Sequence, residues 1–198
     1  MKLRLITVGL ITVGLGIAGL GIGEVALSAQ KTPNPVIVIE TDKGNIEIEL
    51  LQKWAPKGVA KILGLVEKGF YRGLRVHRVT NSLVQMGDPQ TRNMRSQNYW
   101  GTGGSGTPLG VTEINLMMKH VRGAVGLAYS ANGGPKFADS QFYIMKNASQ
   151  GLDGDYSIIG RVVNGIIVAD RLQVTDVIKN IAVKGAAPRQ ARSRRSGS

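Results

Sequence analysis

The side chains best suited to chemistry in this chain are an arginine and a glutamine that lie within residues 74–89. That stretch alternates as a β-strand does, breaks at residues 80–82 and then alternates again. It therefore predicts two neighbouring strands, with Arg78 on the first and Gln85 close to it on the second. Arginine offers a permanent positive charge and several donors in a rigid planar fork. The alternative is a surface arginine that merely ends a strand.

Strand alternation also predicts which way Arg78 points. Arg78 falls on the same face as Leu74 and Val76, so we expect it to project from an apolar surface. His77 falls on the opposite face, and we interpret it as a structural hydrogen-bonding residue rather than a catalytic base.

Composition leaves few other routes to catalysis. The chain has no cysteine, which excludes a disulfide, a thiolate metal site, a catalytic thiol and a lipoprotein anchor. Its two histidines are too few for most zinc sites, and no nucleophile–base pair or carboxylate cluster is evident. We therefore expect neither a metal nor another cofactor.

A net charge of +12 is compatible with nucleic-acid binding, but the distribution of the charge argues against it. Five basic residues follow the last apolar run with no acid among them: Lys184, Arg189, Arg192, Arg194 and Arg195. The body of the chain has a modest basic excess and no stripe of aromatic and basic residues of the kind that stacks on bases. No nucleic-acid partner is expected.

Seven short motifs occur in a fixed order along the chain. They are Phe-Tyr-Arg-Gly-Leu-Arg-Val-His-Arg-Val (70–79), Gln-Met-Gly-Asp-Pro (85–89), Gly-Thr-Gly-Gly (101–104), Lys-His-Val-Arg-Gly (119–123), Ser-Ala-Asn-Gly-Gly-Pro (130–135), Asp-Ser-Gln-Phe-Tyr-Ile (139–144) and Leu-Asp-Gly (152–154). Each motif alone is weak. The ordered set, which spans residues 35–183, resembles the cyclophilins, the cyclosporin-binding class of peptidyl-prolyl cis-trans isomerases. Proline-containing polypeptides are the partners that this resemblance implies.

The resemblance implies a catalytic role for Arg78, which aligns with the arginine of the family. Rotation about an X-Pro bond crosses a barrier of about 20 kcal/mol because the amide loses resonance as it twists. The proline nitrogen lone pair then localises and becomes a hydrogen-bond acceptor. A cationic donor fixed beside that nitrogen binds the twisted state better than the planar state, and this difference in binding is catalysis.

The resemblance also implies how substrate binds. An apolar pocket for the proline ring would be lined by Leu83, Tyr143 and Leu152, with Tyr143 where the family has a phenylalanine and Tyr156 where it has a histidine. Gln85 and Gln141 would hold Arg78 and the substrate backbone, and backbone groups would come from Ala131, Asn132 and Gly133. On the residues alone, Leu83 and Leu152 would equally suit a barrel core, and residues 132–133 an ordinary turn.

The chain departs from the family in the pocket. Between Arg78 and Gln85 it has one residue fewer, and residues 80–82, Thr-Asn-Ser, replace a segment that carries a pocket aromatic. Gly151 replaces a tryptophan or related residue at the rim, so we expect weak cyclosporin binding. We expect reduced isomerase activity. The alternative is a binding or chaperone module with the cyclophilin fold that holds proline-containing partners and turns over slowly or not at all.

The elements that must position these residues are mostly strands. Strands are predicted at 36–40, 46–50, 74–79, 83–86, 123–128, 141–145, 158–163 and 174–183, and helices at 56–68 and 166–173. Because the helices are isolated rather than alternating with strands, this order favours an antiparallel sheet closed into a barrel. The resemblance sharpens the prediction to a mainly β fold, a closed eight-stranded antiparallel β-barrel capped by two α-helices.

Residues 90–112 form a polar, glycine-rich segment that is too long for a passive turn, so we expect a functional loop. The glycines of residues 101–106 match the spacing of a dinucleotide-binding fingerprint, but no apolar strand precedes them and no helix follows. We interpret them as positions where the backbone approaches another group closely.

Residues 1–29 have the pattern of a targeting segment: Lys2 and Arg4 precede an uncharged run, and small residues suited to cleavage end it. We expect cleavage near residue 29 and export to a periplasm or a thylakoid lumen. The alternative is a retained membrane anchor, because the uncharged run is about 19 residues long. Residues 30–35 are then a linker, residues 36–183 the isomerase domain and residues 184–198 a basic disordered tail. We expect a monomer.

Overall fold

The computed structural model describes residues 33–129 and 134–186. Over these residues the chain forms eight β-strands and two α-helices. In chain order they are β1 (Val36–Thr41), β2 (Gly44–Leu50), α1 (Pro56–Glu67), β3 (Arg78–Val79), β4 (Leu83–Met86), β5 (Ala124–Leu127), β6 (Phe142–Met145), β7 (Ile158–Asn164), α2 (Ile166–Arg171) and β8 (Ile178–Val183). No helix within the described ranges is long and apolar enough to cross a membrane.

The eight strands form one antiparallel sheet in the order β3-β4-β6-β5-β7-β2-β1-β8. The chain just before β3 pairs with the start of β8, which joins the two edges of the sheet. The Gly73 amide donates to the Ile178 carbonyl at 2.8 Å, and the Val76 amide donates to the Asp176 carbonyl at 2.9 Å. The predicted eight-stranded antiparallel barrel is therefore confirmed.

Alternation along the longer strands places one face inside the barrel, and β2 is the clearest case. Ile46, Ile48 and Leu50 are fully buried, whereas Glu47 and Glu49 are only partly buried. Both glutamates form ion pairs on the outside, with Lys184 and Arg161. The sequence pattern predicted this inward face correctly.

The two helices pack near opposite ends of β2. Helix α1 follows the Leu50 end of the strand and buries Val59 and Ile62 in the core. Helix α2 packs near the other end, where a side chain added at Gly44 would touch Val168. Each helix therefore covers a different end of the barrel, as the resemblance implies.

The prediction that Arg78 shares a strand face with Leu74 and Val76 is wrong. Leu74 and Val76 are fully buried in the core, but Arg78 is exposed. Its direct partner on β4 is Gln85, and directly paired residues of an antiparallel sheet lie on the same face. Arg78 therefore lies with Gln85 on the outer face of the barrel, not with the two core residues.

The alternation of buried and exposed side chains is interrupted at His77. Up to Val76 the chain bonds to the residues that precede and begin β8, whereas β3 pairs with β4. Val76 and Val79 both contribute to the core although two residues separate them. Strict alternation would place Val76 and Val79 on opposite faces. Both can face the core because the chain changes its partner strand between them.

Several predicted element ends also differ from the structure, and the strand predicted at 74–79 is reduced to β3, Arg78–Val79. The predicted last strand starts at residue 174, but β8 begins at Ile178 because the preceding residues form a turn in which Thr175 has a φ of 81°. The predicted second helix reaches residue 173, but α2 ends at Arg171 because Leu172 is extended. Leu172 is still buried.

One glycine lets β6 approach the end of β4. Gly87 follows β4 with a φ of 104°, a conformation that residues with a Cβ rarely adopt. A Cβ at this position would overlap the carbonyl oxygen of Ser140 and the Cα of Gln141. The Ser140 hydroxyl donates to the Gly87 carbonyl at 2.8 Å. This contact sets where Gln141 lies relative to β4.

We predict that Gly87→Ala lowers the free energy of unfolding by about 3 kcal/mol or more, because a left-handed φ and an overlap with backbone both penalise the added Cβ. Gly69→Ala is the matched control, since Gly69 has a φ of 67° but an added Cβ meets nothing within 4 Å. The control should cost about 1 kcal/mol. Urea unfolding measures both losses, and equal losses would show that the close approach at Gly87 contributes nothing.

Candidate active site

The outward-facing residues of β4, β5 and β6 form a second apolar cluster on the outside of the barrel, which we call the outer cluster. Its buried members are Leu83, Ala124, Ala128, Tyr143 and Met145, and Leu152 and Tyr156 pack against them. The intervening residues of β6, Phe142 and Ile144, belong to the main core. All the side chains predicted to line the proline pocket are therefore together in the outer cluster.

Strand β5 contributes small residues to this face. Ala124 and Gly126 are its outward positions, and Ala128 follows the strand directly. Gly126 is the register partner of Tyr143, and a Cβ on that glycine would overlap the tyrosine ring and hydroxyl. The small residues of β5 therefore provide the space that the Tyr143 ring occupies.

Arg78 is connected to β6 through two glutamines. Its Nη1 donates to Gln85 Oε1 at 3.3 Å, and Gln85 Nε2 donates to Gln141 Oε1 at 2.9 Å. Both glutamines are buried, whereas the arginine is exposed. Of the two glutamines predicted to hold Arg78, Gln85 contacts it directly and Gln141 is connected to it through Gln85. Since a guanidinium has five N–H donors, this arrangement fixes one of them and leaves others for a ligand.

The glycine-rich loop determines how the glutamines are oriented. Gln141 Nε2 donates to the carbonyls of Gly101 at 3.0 Å and Gly103 at 2.7 Å, which uses both of its hydrogens. The Gln141 oxygen must therefore face Gln85, whose own amide nitrogen donates to it. The Gln85 oxygen is then the atom presented to Arg78.

A buried carboxylate holds this loop in place. Asp88 is fully buried, and its Oδ2 accepts from the amides of Gly101 at 2.5 Å and Gly103 at 3.1 Å. A Cβ at Gly103 would overlap the Asp88 carboxylate. The predicted close approach of backbone at these glycines is confirmed, and Asp88 is the group that they approach.

A second carboxylate anchors the far end of the loop. Asp139 accepts from the Ser105 hydroxyl at 2.5 Å and the Gly106 amide at 3.0 Å, and it lies 2.8 Å from Lys61 Nζ on α1. Sequence reasoning missed the roles of Asp88 and Asp139. The signal that could have found them is their place inside two motifs of the ordered set, beside the residues that the motifs were used to identify.

His77 does not have the predicted hydrogen-bonding role. Both ring nitrogens are buried, and neither has a partner among the described residues. The ring lies close to Gly101, while the neighbouring Gln141 gives its amide hydrogens to the loop. Burial lowers the pKa of His77, which favours the neutral ring.

The buried Tyr143 hydroxyl, which required a partner, has one. It lies 2.9 Å from His120 Nε2, and His120 Nδ1 lies 2.9 Å from Asp153 Oδ1. Sequence reasoning assigned no role to His120 or Asp153. Both stand in motifs of the ordered set, but nothing in their spacing shows that they meet at residue 143.

Two further tyrosines flank Tyr143. Tyr129 and Tyr156 stack with ring centroids 4.6 Å apart, and Tyr156 meets Tyr143 edge-on at 5.8 Å. Tyr129 and the adjacent Ala128 were not identified from sequence, although both lie beside the predicted pocket. The predicted backbone contributors to substrate binding lie outside the described residues: Ala131, Asn132 and Gly133.

The segments that depart from the family have simple local structures. Thr80 Oγ1 accepts from the amides of Ser82 and Leu83, both at 3.1 Å, and this side-chain turn connects β3 to β4. Gly151 is exposed, and an added Cβ there would meet nothing within 4 Å. The rim beside Leu152 therefore has open space where the family carries a large side chain.

A separate cavity of about 530 Å³ is lined by Lys119, His120, Val121, Ala148, Gln150 and Asp153. It includes neither Arg78 nor Tyr143, so it is distinct from the predicted proline pocket. Within the described part of the chain, no group of three or more histidine, aspartate or glutamate side chains could hold a metal ion.

Comparison with known proteins finds one family along nearly all of the described chain. The family described as “Cyclophilin type peptidyl-prolyl cis-trans isomerase/CLD” matches residues 36–189. A “Probable peptidyl-prolyl cis-trans isomerase” of Brucella suis is 36% identical over 166 residues, which cover 82% of this chain and 83% of the relative. A “Peptidyl-prolyl cis-trans isomerase” of Helicobacter pylori is 32% identical over 145 residues, covering 72% and 83%.

Solved structures show the same fold at lower identity. A cyclophilin-type isomerase of Cryptosporidium parvum superposes with a TM-score of 0.66 at 23% identity, covering 78% of this chain and 99% of that chain. A second crystal structure of that isomerase, determined in the presence of the dipeptide Ala-Pro, gives a TM-score of 0.64 at 23% identity, covering 76% and 99%. At this identity the likeness extends to the fold alone.

Proposed function

Because the chain belongs to the cyclophilin-type peptidyl-prolyl cis-trans isomerases, we propose that it rotates X-Pro bonds of exported polypeptides with Arg78 as its catalytic residue. One observation carries the assignment of Arg78. A continuous hydrogen-bonded chain runs from buried Asp88, through the glycine-rich loop and two buried glutamines, to an exposed guanidinium. A surface arginine without function does not require such support.

The chemistry follows from where this charge is held. In the planar X-Pro amide the nitrogen lone pair is delocalised and accepts hydrogen bonds poorly. As the bond twists, the lone pair localises, and a donor of Arg78 that is not bonded to Gln85 can reach it. Because Gln85 and Gln141 are fixed before substrate arrives, little reorganisation is needed during the reaction. The twisted state therefore gains more from Arg78 than the planar state does.

The outer cluster offers the surface that a proline ring needs. Leu83 is two residues from Gln85 on the same outward face of β4, and Tyr143 is the register partner of Gln85 on β6. Apolar side chains and the donor of Arg78 are thus neighbours on one face. The Cryptosporidium isomerase determined with Ala-Pro supports proline-containing peptides as the substrate class.

We predict that Arg78→Ala lowers kcat/KM for a proline tetrapeptide about a hundredfold, as expected for the loss of one transition-state donor. The fold should persist, because Arg78 is exposed. Arg78→Lys should also be poor, since lysine keeps the charge but lacks the planar fork. The measurement is the rate of cis-to-trans conversion with each variant.

Arg72→Ala is the control for this experiment, because Arg72 is an exposed arginine on the approach to the same strand. Its removal should leave turnover within about twofold of the parent, as for most surface substitutions. Wild-type turnover by Arg78→Ala would refute the catalytic assignment. Undetectable turnover by the parent protein would favour the binding-module alternative.

We further propose that the domain acts outside the cytoplasm. The positively charged start, the uncharged run and the small residues near position 29 support this, and the lack of cysteine is compatible with it. N-terminal sequencing of protein from its native host should begin near Gln30. Recovery of Met1 on membrane-bound protein would support the anchor instead.

The open rim at Gly151 generates a prediction about cyclosporin. A tryptophan there would cover apolar surface and supply an indole donor, and nothing within 4 Å of the added Cβ obstructs it. We expect the parent protein to bind cyclosporin weakly and Gly151→Trp to bind it about 30- to 1,000-fold more tightly. Calorimetric titration of both proteins tests this. Tight binding by the parent, or no gain in the variant, would contradict it.

A further inference from the structure

Tyr143 is fixed by residues that take no part in holding Arg78. Its hydroxyl lies 2.9 Å from His120 Nε2, and its ring lies across Gly126, where a Cβ would overlap it. The rings of Tyr143 and His120 are nearly parallel, with centroids 6.0 Å apart. Both residues are only 2% exposed, so water cannot readily replace either partner.

Asp153 determines the direction of the hydrogen bonds. Its Oδ1 accepts from the His120 backbone amide at 2.8 Å and lies 2.9 Å from His120 Nδ1. The backbone bond first, and then the ring bond, lower the pKa of Asp153, so the carboxylate is ionised and can only accept. Nδ1 therefore carries the hydrogen. Nε2 faces the Tyr143 hydroxyl, which has no other hydrogen-bond partner among the described residues, so Nε2 is the acceptor for the hydroxyl hydrogen.

The Tyr143 hydroxyl is then the donor to Nε2. Burial raises the pKa of Tyr143, so the hydroxyl keeps its proton. Because its oxygen is committed to His120, the Tyr143 ring presents carbon atoms to the outer cluster, where Leu83 and Met145 lie. The added hydroxyl therefore does not place a polar group in the surface that would receive proline.

We propose that His120 and Asp153 are positioning residues that hold the Tyr143 ring as the floor of the proline pocket. The inference rests on the proposed function, since it takes the outer cluster as the place where the proline ring packs. His120 acts through Tyr143 and does not touch the substrate. A phenylalanine at position 143 would need no hydrogen-bond acceptor. The position of the ring therefore depends on His120 only when residue 143 is a tyrosine.

A kinetic double-mutant cycle tests this dependence. His120→Leu should raise KM for an X-Pro tetrapeptide about tenfold, because the unpaired buried hydroxyl displaces the ring, and should change kcat less than about twofold. In a Tyr143→Phe background the same replacement should raise KM less than about twofold. Equal effects of His120→Leu in the two backgrounds would overturn the proposal.

Val121→Ala is the matched control. Val121 adjoins His120, lines the same cavity and is 55% exposed, but its side chain has no donor or acceptor with which to join the Asp153–His120–Tyr143 hydrogen bonds. It should leave KM unchanged. A rise equal to that of His120→Leu would mean that any disturbance of this segment acts on the pocket, which would also overturn the proposal.

Nitrogen-15 NMR of the unmodified protein tests the geometry without turnover. The chain has two histidines, so the His120 signals are those that disappear in His120→Leu. We expect a protonated Nδ1 and an accepting Nε2 whose signal moves in Tyr143→Phe; a neutral ring protonated at Nε2 would refute the chain. If the expected spectrum is seen but the protein shows no turnover, the proposed function fails. The same four proteins are then compared by their affinity for a proline-containing peptide, measured by calorimetry.

Discussion

The two amide hydrogens of Gln141 connect the glycine-rich loop to the strands that carry Gln85 and Arg78. Both are donated to carbonyls of the glycine-rich loop, which leaves the Gln141 oxygen for Gln85 and so leaves the Gln85 oxygen for Arg78. The loop can offer those carbonyls only because its amides are turned toward Asp88. The buried Asp88 carboxylate thus positions the exposed Arg78 guanidinium through a series of hydrogen bonds between uncharged groups.

Sequence was sufficient where one physical rule acted alone. Period-two alternation predicted the inward face of β2, and the ordered motifs identified Arg78, Gln85 and Gln141, which are joined by hydrogen bonds. It failed where two rules competed. The face of Arg78 was predicted wrongly because the chain exchanges one partner strand for another at His77, and the hydrophobic pattern carries no mark of that exchange.

The outer face shows a different limit of sequence reasoning. Tyr143 departs from the family by a hydroxyl, and its accommodation involves a glycine on β5, a histidine before that strand and an aspartate after β6. Each residue has an ordinary interpretation by itself: a strand glycine, a lone histidine, a turn acid. Their convergence in space shows that His120 bonds the hydroxyl, Asp153 bonds His120 and Gly126 leaves room for the ring, and spacing along the chain does not encode that convergence.

The pairing of β1 with β8 has a consequence for how the protein is made. Ile37 on the first strand lies opposite Val183 on the last, so one edge of β1 has no partner until almost the whole domain is synthesised. The hydrogen bonds that join the edges of the sheet also form late, because the Gly73 amide bonds to Ile178, which is synthesised about a hundred residues later. A nascent chain leaving a ribosome therefore presents an unclosed sheet for most of its synthesis. Closure of the sheet is therefore a late step of folding, because it needs the residues of β8.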